Sequence, residues 1–221
     1  MPINIAVDGP AGAGKSTISR GAAKDLGFIY VDTGALYRAV GLNALMLEAD
    51  TKNPEAVEKT LVGTCVEIKF AAGEQRVFLN GEDVSEAIRA PEASMAASDV
   101  SAIPAVRDFL FELQRDIAKK NNCIMDGRDI GTVVLPWAQI KIFLTAAPEE
   151  RAMRRYKELV AKGVAVEYEQ VLEEMNQRDF NDSNRAIAPL KPAEDSVTVD
   201  TTGYTLEESI NMVTSLIKER L

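Results

Sequence analysis

The hydrophobic residues of this 221-residue chain are concentrated in short runs that are separated by helical patterns. Short apolar runs without alternation are typical of strands that are buried on both faces. Such runs cover residues 3–7, 28–31, 123–125, 140–144 and 197–199. Because strands that alternate with helices favour a parallel sheet with helices on both sides, the pattern predicts an α/β fold with a five-stranded parallel sheet. In such sheets, ligands bind at the carboxyl ends of the strands.

The spacing of apolar residues also predicts several helices of this fold. One helix is predicted over residues 15–26, a second over 35–47 and a last one over 205–221. Residues 148–180 have the pattern of two charged helices, which the stretch AKGVAVEY separates. Gly163 lies within this break, and we expect the two helices to form a segment that can close over bound ligands.

The pattern changes to a period of two between about residues 50 and 97. The stretches CVEIKF and RVFLNGEDV alternate apolar and polar residues on either side of AAGEQ, as expected of an antiparallel hairpin. We therefore predict a small inserted subdomain that contains antiparallel strands.

Composition restricts the partners that the chain can have. A net charge of -9 argues against broad binding to nucleic acid or to an anionic membrane, because both need a basic protein face. The N-terminal segment lacks the features of a signal peptide, and no apolar run approaches the ~20 residues of a membrane span. We therefore expect a cytoplasmic protein without nucleic-acid or membrane partners. We also expect a monomer, since the sequence identifies no self-association face.

The two cysteines, Cys65 and Cys123, lie far apart inside apolar segments. They lack CxxC spacing, and the chain has no histidine that would complete a metal site. We expect both to be buried, reduced thiols.

Residues Gly9 to Ser16 match the phosphate-binding pattern GxxxxGK[ST] at every fixed position, between a predicted strand and a predicted helix. Glycines let successive backbone amides turn toward the same oxygen atoms, and the helix start adds free N–H donors and a positive partial charge. Lys15 is expected to reach the β- and γ-phosphates, and Ser16 to offer its hydroxyl to Mg²⁺. The predicted ATP-binding residues of the loop are Gly9, Pro10, Ala11, Gly12, Ala13, Gly14, Lys15, Ser16 and Thr17.

A carboxylate at the end of a neighbouring strand commonly helps to hold the Mg²⁺ of a bound nucleoside triphosphate. The stretch CIMDG supplies Asp126 at such a position. Aspartate before glycine also begins turns. Asp126 therefore has two interpretations, as a Mg²⁺ ligand beside Ser16 or as a turn residue.

The phosphate-binding loop alone does not indicate which molecule accepts the phosphate. The chain lacks the NKxD tetrapeptide with which switch GTPases read guanine and the LSGGQ element of transport ATPases. It does contain a second set of anion-binding residues, in DTGALYR, VRD, DGRD and RDFNDSNR. Because planar guanidinium groups bind phosphate oxygens in bidentate fashion, these arginines predict a second, phosphorylated substrate.

Five motifs together resemble a known family, the bacterial-type cytidylate kinases among the nucleoside monophosphate kinases. They are GPAGAGKST, DTGALYR, NGEDVSEAIR, DGRDIGTVV and RDFNDSNRAIAPL, and the resemblance runs nearly from end to end. It implies transfer of the γ-phosphate of ATP to CMP or dCMP with Mg²⁺ as cofactor. Relatives in this family vary at Ser16 and Thr17, so Thr17 is an alternative source of the Mg²⁺-facing hydroxyl. The alternatives to this function are another small-molecule kinase and a nucleotide-dependent regulatory module without an acceptor site.

The resemblance also implies a P-loop three-layer fold that forms one kinase domain over residues 1–221. Its parts would be a core of about 1–49, 98–150 and 186–221, an inserted monophosphate-binding subdomain of about 50–97 and a helical lid of about 151–185.

The resemblance assigns roles to ten further residues. The monophosphate would be bound by Thr33, Arg38, Arg128 and Arg185, the pyrimidine by Ser98, Arg107 and Asp129, and the ribose by Arg178 and Asp182, while Arg154 would be a lid arginine that contacts ATP. The residues expected to act in catalysis are Lys15, Arg128, Arg154 and Arg185.

Three of these residues have a plain structural alternative. Asp129 could pair with Arg128, and Ser98 could cap a helical turn. Arg154 could pair with a glutamate four residues away on its own helix, either Glu150 or Glu158.

Overall fold

The computed structural model describes residues 2–71 and 73–221 of the chain. Its strands are β1 (Asn4–Asp8), β2 (Ile29–Asp32), β3 (Val66–Ala71), β4 (Glu74–Leu79), β5 (Glu82–Asp83), β6 (Cys123–Gly127), β7 (Ile140–Thr145) and β8 (Val197–Asp200). Its α-helices are α1 (Lys15–Leu26), α2 (Thr33–Met46), α3 (Pro54–Leu61), α4 (Pro91–Val100), α5 (Pro104–Lys120), α6 (Pro148–Ala161), α7 (Tyr168–Asn184) and α8 (Leu206–Lys218).

The larger sheet has the strand order β2-β6-β1-β7-β8, and β1 pairs in parallel with both β6 and β7. The α/β fold with a five-stranded parallel sheet is therefore confirmed. The strands run slightly past the predicted apolar segments because polar residues at their ends still pair. Asp8 lies opposite Gly127 and Phe143, and Thr145 lies opposite Asp200. These strand ends bring carboxylates to the carboxyl edge of the sheet.

The chain divides into two compact units, one of residues 29–121 with Pro2 and one of residues 3–28 and 122–221. These two units do not coincide with the predicted subdomain of about residues 50–97 or with the predicted lid of about residues 151–185. Those boundaries stay predictions.

In the first unit, the core gathers around α2 and α5, where Leu36, Val40 and Leu110 are completely buried. The hairpin of β3 and β4 is antiparallel, and β5 extends it to three strands. The predicted antiparallel strands are confirmed. Val66 and Val77 lie in the core of this unit.

The burial predicted for Cys65 is wrong, because Cys65 is exposed. Val66 is buried and Glu67 is exposed, as the alternation of β3 requires. The residue before Val66 therefore falls on the solvent side, where the Cys65 amide donates to the Asn80 side chain at 2.8 Å. Cys123 is buried as predicted, and burial raises the pKa of its thiol to about 12.

In the second unit, the central strands carry completely buried side chains such as Ile5, Ile124 and Leu144. Helix α1 packs against α8, whose Ile217 is also fully buried. Helices α6 and α7 pack on each other around a small apolar cluster of Ala152, Val171 and Met175. Across residues 2–71 and 73–221, none of the helices has the length and apolar character needed to cross a membrane.

Candidate active site

The phosphate-binding loop connects β1 to α1 at the carboxyl edge of the sheet. Helix α1 begins at Lys15, and the Ile18 amide donates to the Gly14 carbonyl at 2.9 Å to close its first turn. Gly9 permits the loop to leave the strand, because its φ is 149° and a Cβ there would lie 1.9 Å from the Leu144 carbonyl oxygen. The sequence therefore places a helix N-terminus beside the loop, as anion binding requires.

The Lys15 side chain is buried, and its ammonium donates to the Pro10 carbonyl at 2.7 Å. Burial, and after it the charge of the nearby Arg128, lower the pKa of this ammonium to about 7. The carboxylates of Asp126 and Asp8 act in the opposite direction. An anionic ligand at the loop would likewise favour the charged form of Lys15.

Ser16 and Asp126 lie together. The Ser16 hydroxyl donates to the Asp126 carboxylate at 2.9 Å, and the Asp126 side chain is buried. Asp126 is part of β6, whose last residue is Gly127. Asp126 therefore lies within a strand and does not begin a turn.

Asp8 is a functional candidate that the sequence interpretation missed. Its carboxylate accepts hydrogen bonds of 2.7 Å from the amides of both Ile130 and Gly131. Burial raises the pKa of Asp8 to about 6, although the two amide hydrogen bonds oppose the shift. These amides begin the π-helical segment Ile130–Val134, so Asp8 fixes the backbone directly after Arg128 and Asp129. Its position at the carboxyl end of a central strand, the edge where ligands bind in such sheets, could have indicated a role in the site.

Two arginine–carboxylate pairs lie in the same unit as the loop. Arg128 donates through Nε to Asp182 at 2.8 Å, and Arg185 donates through Nη2 to Asp129 at 3.1 Å. All four side chains are largely buried. Asp129 is thus paired with Arg185, while the sequence alternative named Arg128. A third guanidinium, that of Arg178, is close enough to Lys15 to lower its pKa.

Arg154 lies on α6 and donates to Glu150, one turn earlier, at 3.2 Å. This is the helical pair that the sequence offered as an alternative. Arg154 Nη2 also lies 3.5 Å from the Thr201 carbonyl. Its Nη1 would lie 3.8 Å from a Cβ built on Gly14, so the guanidinium is next to the phosphate-binding loop.

Arg151 and Asp179 also contact the loop, and neither was singled out from the sequence. Arg151 donates to the Ala11 carbonyl at 2.9 Å and to the Asp179 carboxylate at 2.6 Å. Asp179 accepts from the Ala11 amide at 3.3 Å. Asp179 belongs to the motif RDFNDSNR, which was recognised for Arg178 and Asp182, whereas Arg151 lies one turn before Arg154 on α6.

The remaining predicted residues belong to the first unit. Arg38 donates to Asp32 at 2.7 Å, and Asp32 also caps α2 by accepting from the Ala35 amide at 3.0 Å. The side-chain amide of Gln75 holds both the N–H and the carbonyl of Asp32. Thr33, the first residue of α2, is buried.

Two predicted base-reading residues lie near the junction of α4 and α5. Arg107 is buried, donates to the Ser101 carbonyl at 3.4 Å and lies over the Tyr37 ring at 5.8 Å. Ser98 lies in the last turn of α4, where its carbonyl accepts from the Ser101 hydroxyl at 2.9 Å.

Comparisons with known proteins agree with this organisation. The family model described as cytidylate kinase matches residues 5–219. A cytidylate kinase of Caldicellulosiruptor saccharolyticus is 55% identical to this chain, over 97% of the chain and 95% of the relative. A cytidylate kinase of Pelotomaculum thermopropionicum is 50% identical, over 97% of the chain and 95% of the relative.

Among solved structures, an uncharacterized protein from Eubacterium ventriosum superposes with a TM-score of 0.52 at 10% sequence identity, covering 99% of both chains. At this identity the likeness concerns the fold alone. The family match and the relatives concern nearly the whole sequence, and the family match includes every candidate site residue named above. The chain is a member of the cytidylate kinase family.

Proposed function

We propose that this protein transfers the γ-phosphoryl group of ATP to CMP or dCMP, giving ADP and CDP or dCDP. The observation that carries the proposal is the juxtaposition, within one compact unit, of a phosphate-binding loop and a separate group of arginines. Arg128 is near enough to Lys15 for its charge to lower the Lys15 pKa. Membership of the cytidylate kinase family supports the choice of a cytidine nucleotide as the acceptor.

The residues at the loop fit a donor nucleotide with Mg²⁺. A hydroxyl and a carboxylate oxygen are hard ligands of the type that Mg²⁺ prefers, and Ser16 and Asp126 present both within 2.9 Å of each other. When bound there, Mg²⁺ would supply positive charge to the β- and γ-phosphate oxygens. Lys15 would hold the same phosphates through its ammonium, and the loop amides would hold them through hydrogen bonds.

On the acceptor side, the guanidiniums of Arg128 and Arg185 would bind the monophosphate. The sequence resemblance gives Arg38 and Thr33 the same role. Asp182 and Asp129 pair with two of these arginines. Such pairing orients the planar donors before a ligand arrives, which lowers the ordering cost of binding. Arg178 and Asp182 would bind the ribose.

The cytosine would be read by Asp129, Arg107 and Ser98. Its exocyclic amine needs an acceptor, which a carboxylate provides, and its O2 and N3 atoms suit a guanidinium donor. Uracil presents a carbonyl where cytosine presents the amine, so a carboxylate at this position would disfavour UMP.

The chemistry needs positioning and charge neutralisation more than it needs a base. The attacking oxygen of the monophosphate is already ionised near neutral pH, so no proton has to be removed before it bonds to the γ-phosphorus and the bond to ADP breaks. Lys15, Arg128, Arg185 and Arg154 would stabilise the charge on the transferring group and its neighbours. The histidine-free sequence is compatible with this mechanism.

Release of ADP, measured by a coupled assay over CMP, dCMP, UMP, AMP, GMP and shikimate, tests the proposal. We expect rapid turnover with CMP or dCMP and very slow ATP consumption without an acceptor, because closure over both substrates would exclude water. Turnover with shikimate or AMP alone would support the alternative of another kinase. ATP binding without transfer to any acceptor would support the regulatory module. Full-rate hydrolysis without acceptor would contradict the proposal.

A further inference from the structure

The peptide groups on both sides of Ala11 are held by an ion pair from α6 and α7. The Ala11 amide donates to Oδ1 of Asp179 at 3.3 Å, and the Ala11 carbonyl accepts from Nη1 of Arg151 at 2.9 Å. The same Nη1 donates to Oδ2 of Asp179 at 2.6 Å. The guanidinium and the carboxylate therefore close a ring of hydrogen bonds around one residue of the phosphate-binding loop.

This pair is not a surface salt bridge. The side chain of Arg151 is 5% exposed and that of Asp179 is 19% exposed. Arg151 also donates from Nε to the Ala146 carbonyl at 2.9 Å. Because desolvation offsets much of the attraction in a buried ion pair, such a pair is a poor source of net stability. Its hydrogen bonds to the backbone instead fix the position of the loop.

Close packing at the next residue supports the same conclusion. Gly12 has a φ of 70°, and a Cβ there would lie 2.6 Å from the Cε of Met175 and 3.3 Å from the Cβ of Arg151. Met175 belongs to the apolar cluster that joins α6 to α7. The two helices thus lie directly against the first half of the loop, at a residue whose positive φ favours glycine.

Charge also favours a positioning role. A lone carboxylate beside an anion-binding loop would repel phosphate. Here the carboxylate of Asp179 is neutralised by Arg151 at 2.6 Å. Asp179 can therefore hold the Ala11 amide without an uncompensated negative charge beside the donor nucleotide.

Helix α7 carries contacts to both groups of the candidate site. Met175 and Asp179, one turn apart, lie against the loop, whereas Asp182 pairs with Arg128 at 2.8 Å. We propose that Arg151 and Asp179 are positioning residues that hold the phosphate-binding loop through Ala11 and keep it in register with the acceptor-side residues of α7. The proposal that the pair holds the loop concerns nucleotide binding alone. The proposal that it keeps the loop in register with the acceptor-side residues rests on the proposed function.

The first test compares Asp179→Asn with Glu173→Gln, a matched change at an exposed position of the same helix. Affinity for the imido analogue of ATP, measured by calorimetry, reports on the loop without any chemistry. We expect Asp179→Asn to weaken binding about tenfold, the effect of losing roughly one hydrogen bond, while Glu173→Gln stays within twofold of the unchanged protein. In turnover with CMP, KM for ATP should rise by a similar factor, whereas KM for CMP should change less than KM for ATP.

A second variant separates positioning from folding. The double change Arg151→Met with Asp179→Leu replaces the buried pair by apolar side chains, which often preserves or raises stability. We expect its thermal midpoint to stay close to that of the unchanged protein, while its affinity for the ATP analogue falls about tenfold or more, since the hydrogen bonds that hold Ala11 are lost. Unchanged analogue affinity in Asp179→Asn or in the folded double variant would overturn the proposal. Weakened analogue binding in a protein that phosphorylates no cytidine nucleotide would leave the loop contact established and would reject the proposed function instead.

Discussion

The Ser16 hydroxyl donates a hydrogen bond of 2.9 Å to the Asp126 carboxylate, although 110 residues separate them along the chain. Parallel pairing of β1 with β6 brings them together, because it places the loop after one strand beside the end of the other. On this contact we propose Ser16, and not Thr17, as the hydroxyl that faces Mg²⁺.

We expect Asp126→Asn and Ser16→Ala each to raise the Mg²⁺ concentration that gives half-maximal turnover, because each removes an oxygen ligand or its charge. Thr17→Ala is the matched control and should change this concentration much less. The measurement is a Mg²⁺ titration of the coupled assay at saturating ATP and CMP. An unchanged Mg²⁺ requirement in Asp126→Asn would remove Asp126 from this role.

Replacing Arg128 by methionine should lower kcat/KM for CMP by roughly 100-fold, since a charged donor aimed at a phosphate is commonly worth about this much. The loss should appear in steady-state kinetics with CMP varied at saturating ATP. Arg220→Met, at an exposed arginine near the C-terminus, serves as the control. The change also leaves Asp182 without this pair, so a thermal melt should accompany the kinetics. If the folded Arg128→Met protein kept full kcat/KM, the assignment of Arg128 to the acceptor phosphate would be wrong.

The lowered pKa of Lys15 predicts how stability depends on pH without ligand. The Lys15 ammonium has an ordinary pKa of 10.5 and a pKa of about 7 in the folded chain. Between these values the unfolded chain binds one proton more than the folded chain, so this group makes the free energy of unfolding rise with pH. The expected slope is about 1.4 kcal/mol per pH unit. Below pH 7 the slope disappears, because both states then hold the proton.

Urea unfolding of the ligand-free protein and of Lys15→Met at pH 6, 7, 8 and 9 isolates this effect. The difference between the two free energies of unfolding should be flat from pH 6 to 7 and should then shift in favour of the unchanged protein. Lys24→Met, at an exposed position of the same helix, should show no such trend. A difference that is constant over the whole range would contradict a neutral Lys15 in the folded protein above pH 7.

The two thiols should react at very different rates. Cys65 is exposed, whereas Cys123 is buried and the pKa of its thiol is raised to about 12, so little thiolate is available there. With a chromogenic disulfide reagent at pH 8, the native protein should release one equivalent quickly and the second only after unfolding. Cys65→Ser should abolish the fast reaction. A fast reaction in that variant would show that Cys123 is accessible.

Local patterns in the sequence predicted much of the fold because the forces that form those elements are local. The helix bounds of α1 were predicted correctly, since Gly14 and Gly27 flank it and its apolar residues keep helical spacing. The exposure of Cys65 follows from the alternation of the hairpin, which puts it on the face opposite to that of buried Val66, whereas apolar neighbours alone do not indicate which face a residue occupies.

Contacts between distant segments were harder to predict. Asp8 holds amides that lie 122 and 123 residues away, and Asp179 reaches an amide 168 residues away. No local pattern indicates such a partner, because the residues around Asp8 and Asp179 are equally compatible with a carboxylate that is exposed to solvent. The ion pair of Asp129 with Arg185, 56 residues away, is a further contact of this kind, because no local pattern indicates that partner.

We propose that two nucleotides are bound by separate groups of cations, one at the phosphate-binding loop and one at the arginines. A crystal structure with CMP and the imido analogue of ATP tests it most directly. We expect the CMP phosphate within hydrogen-bond distance of Arg38, Arg128 and Arg185, and the phosphates of the analogue on Lys15 and the loop amides. CMP bound away from these arginines, or CMP in the loop itself, would contradict this proposal.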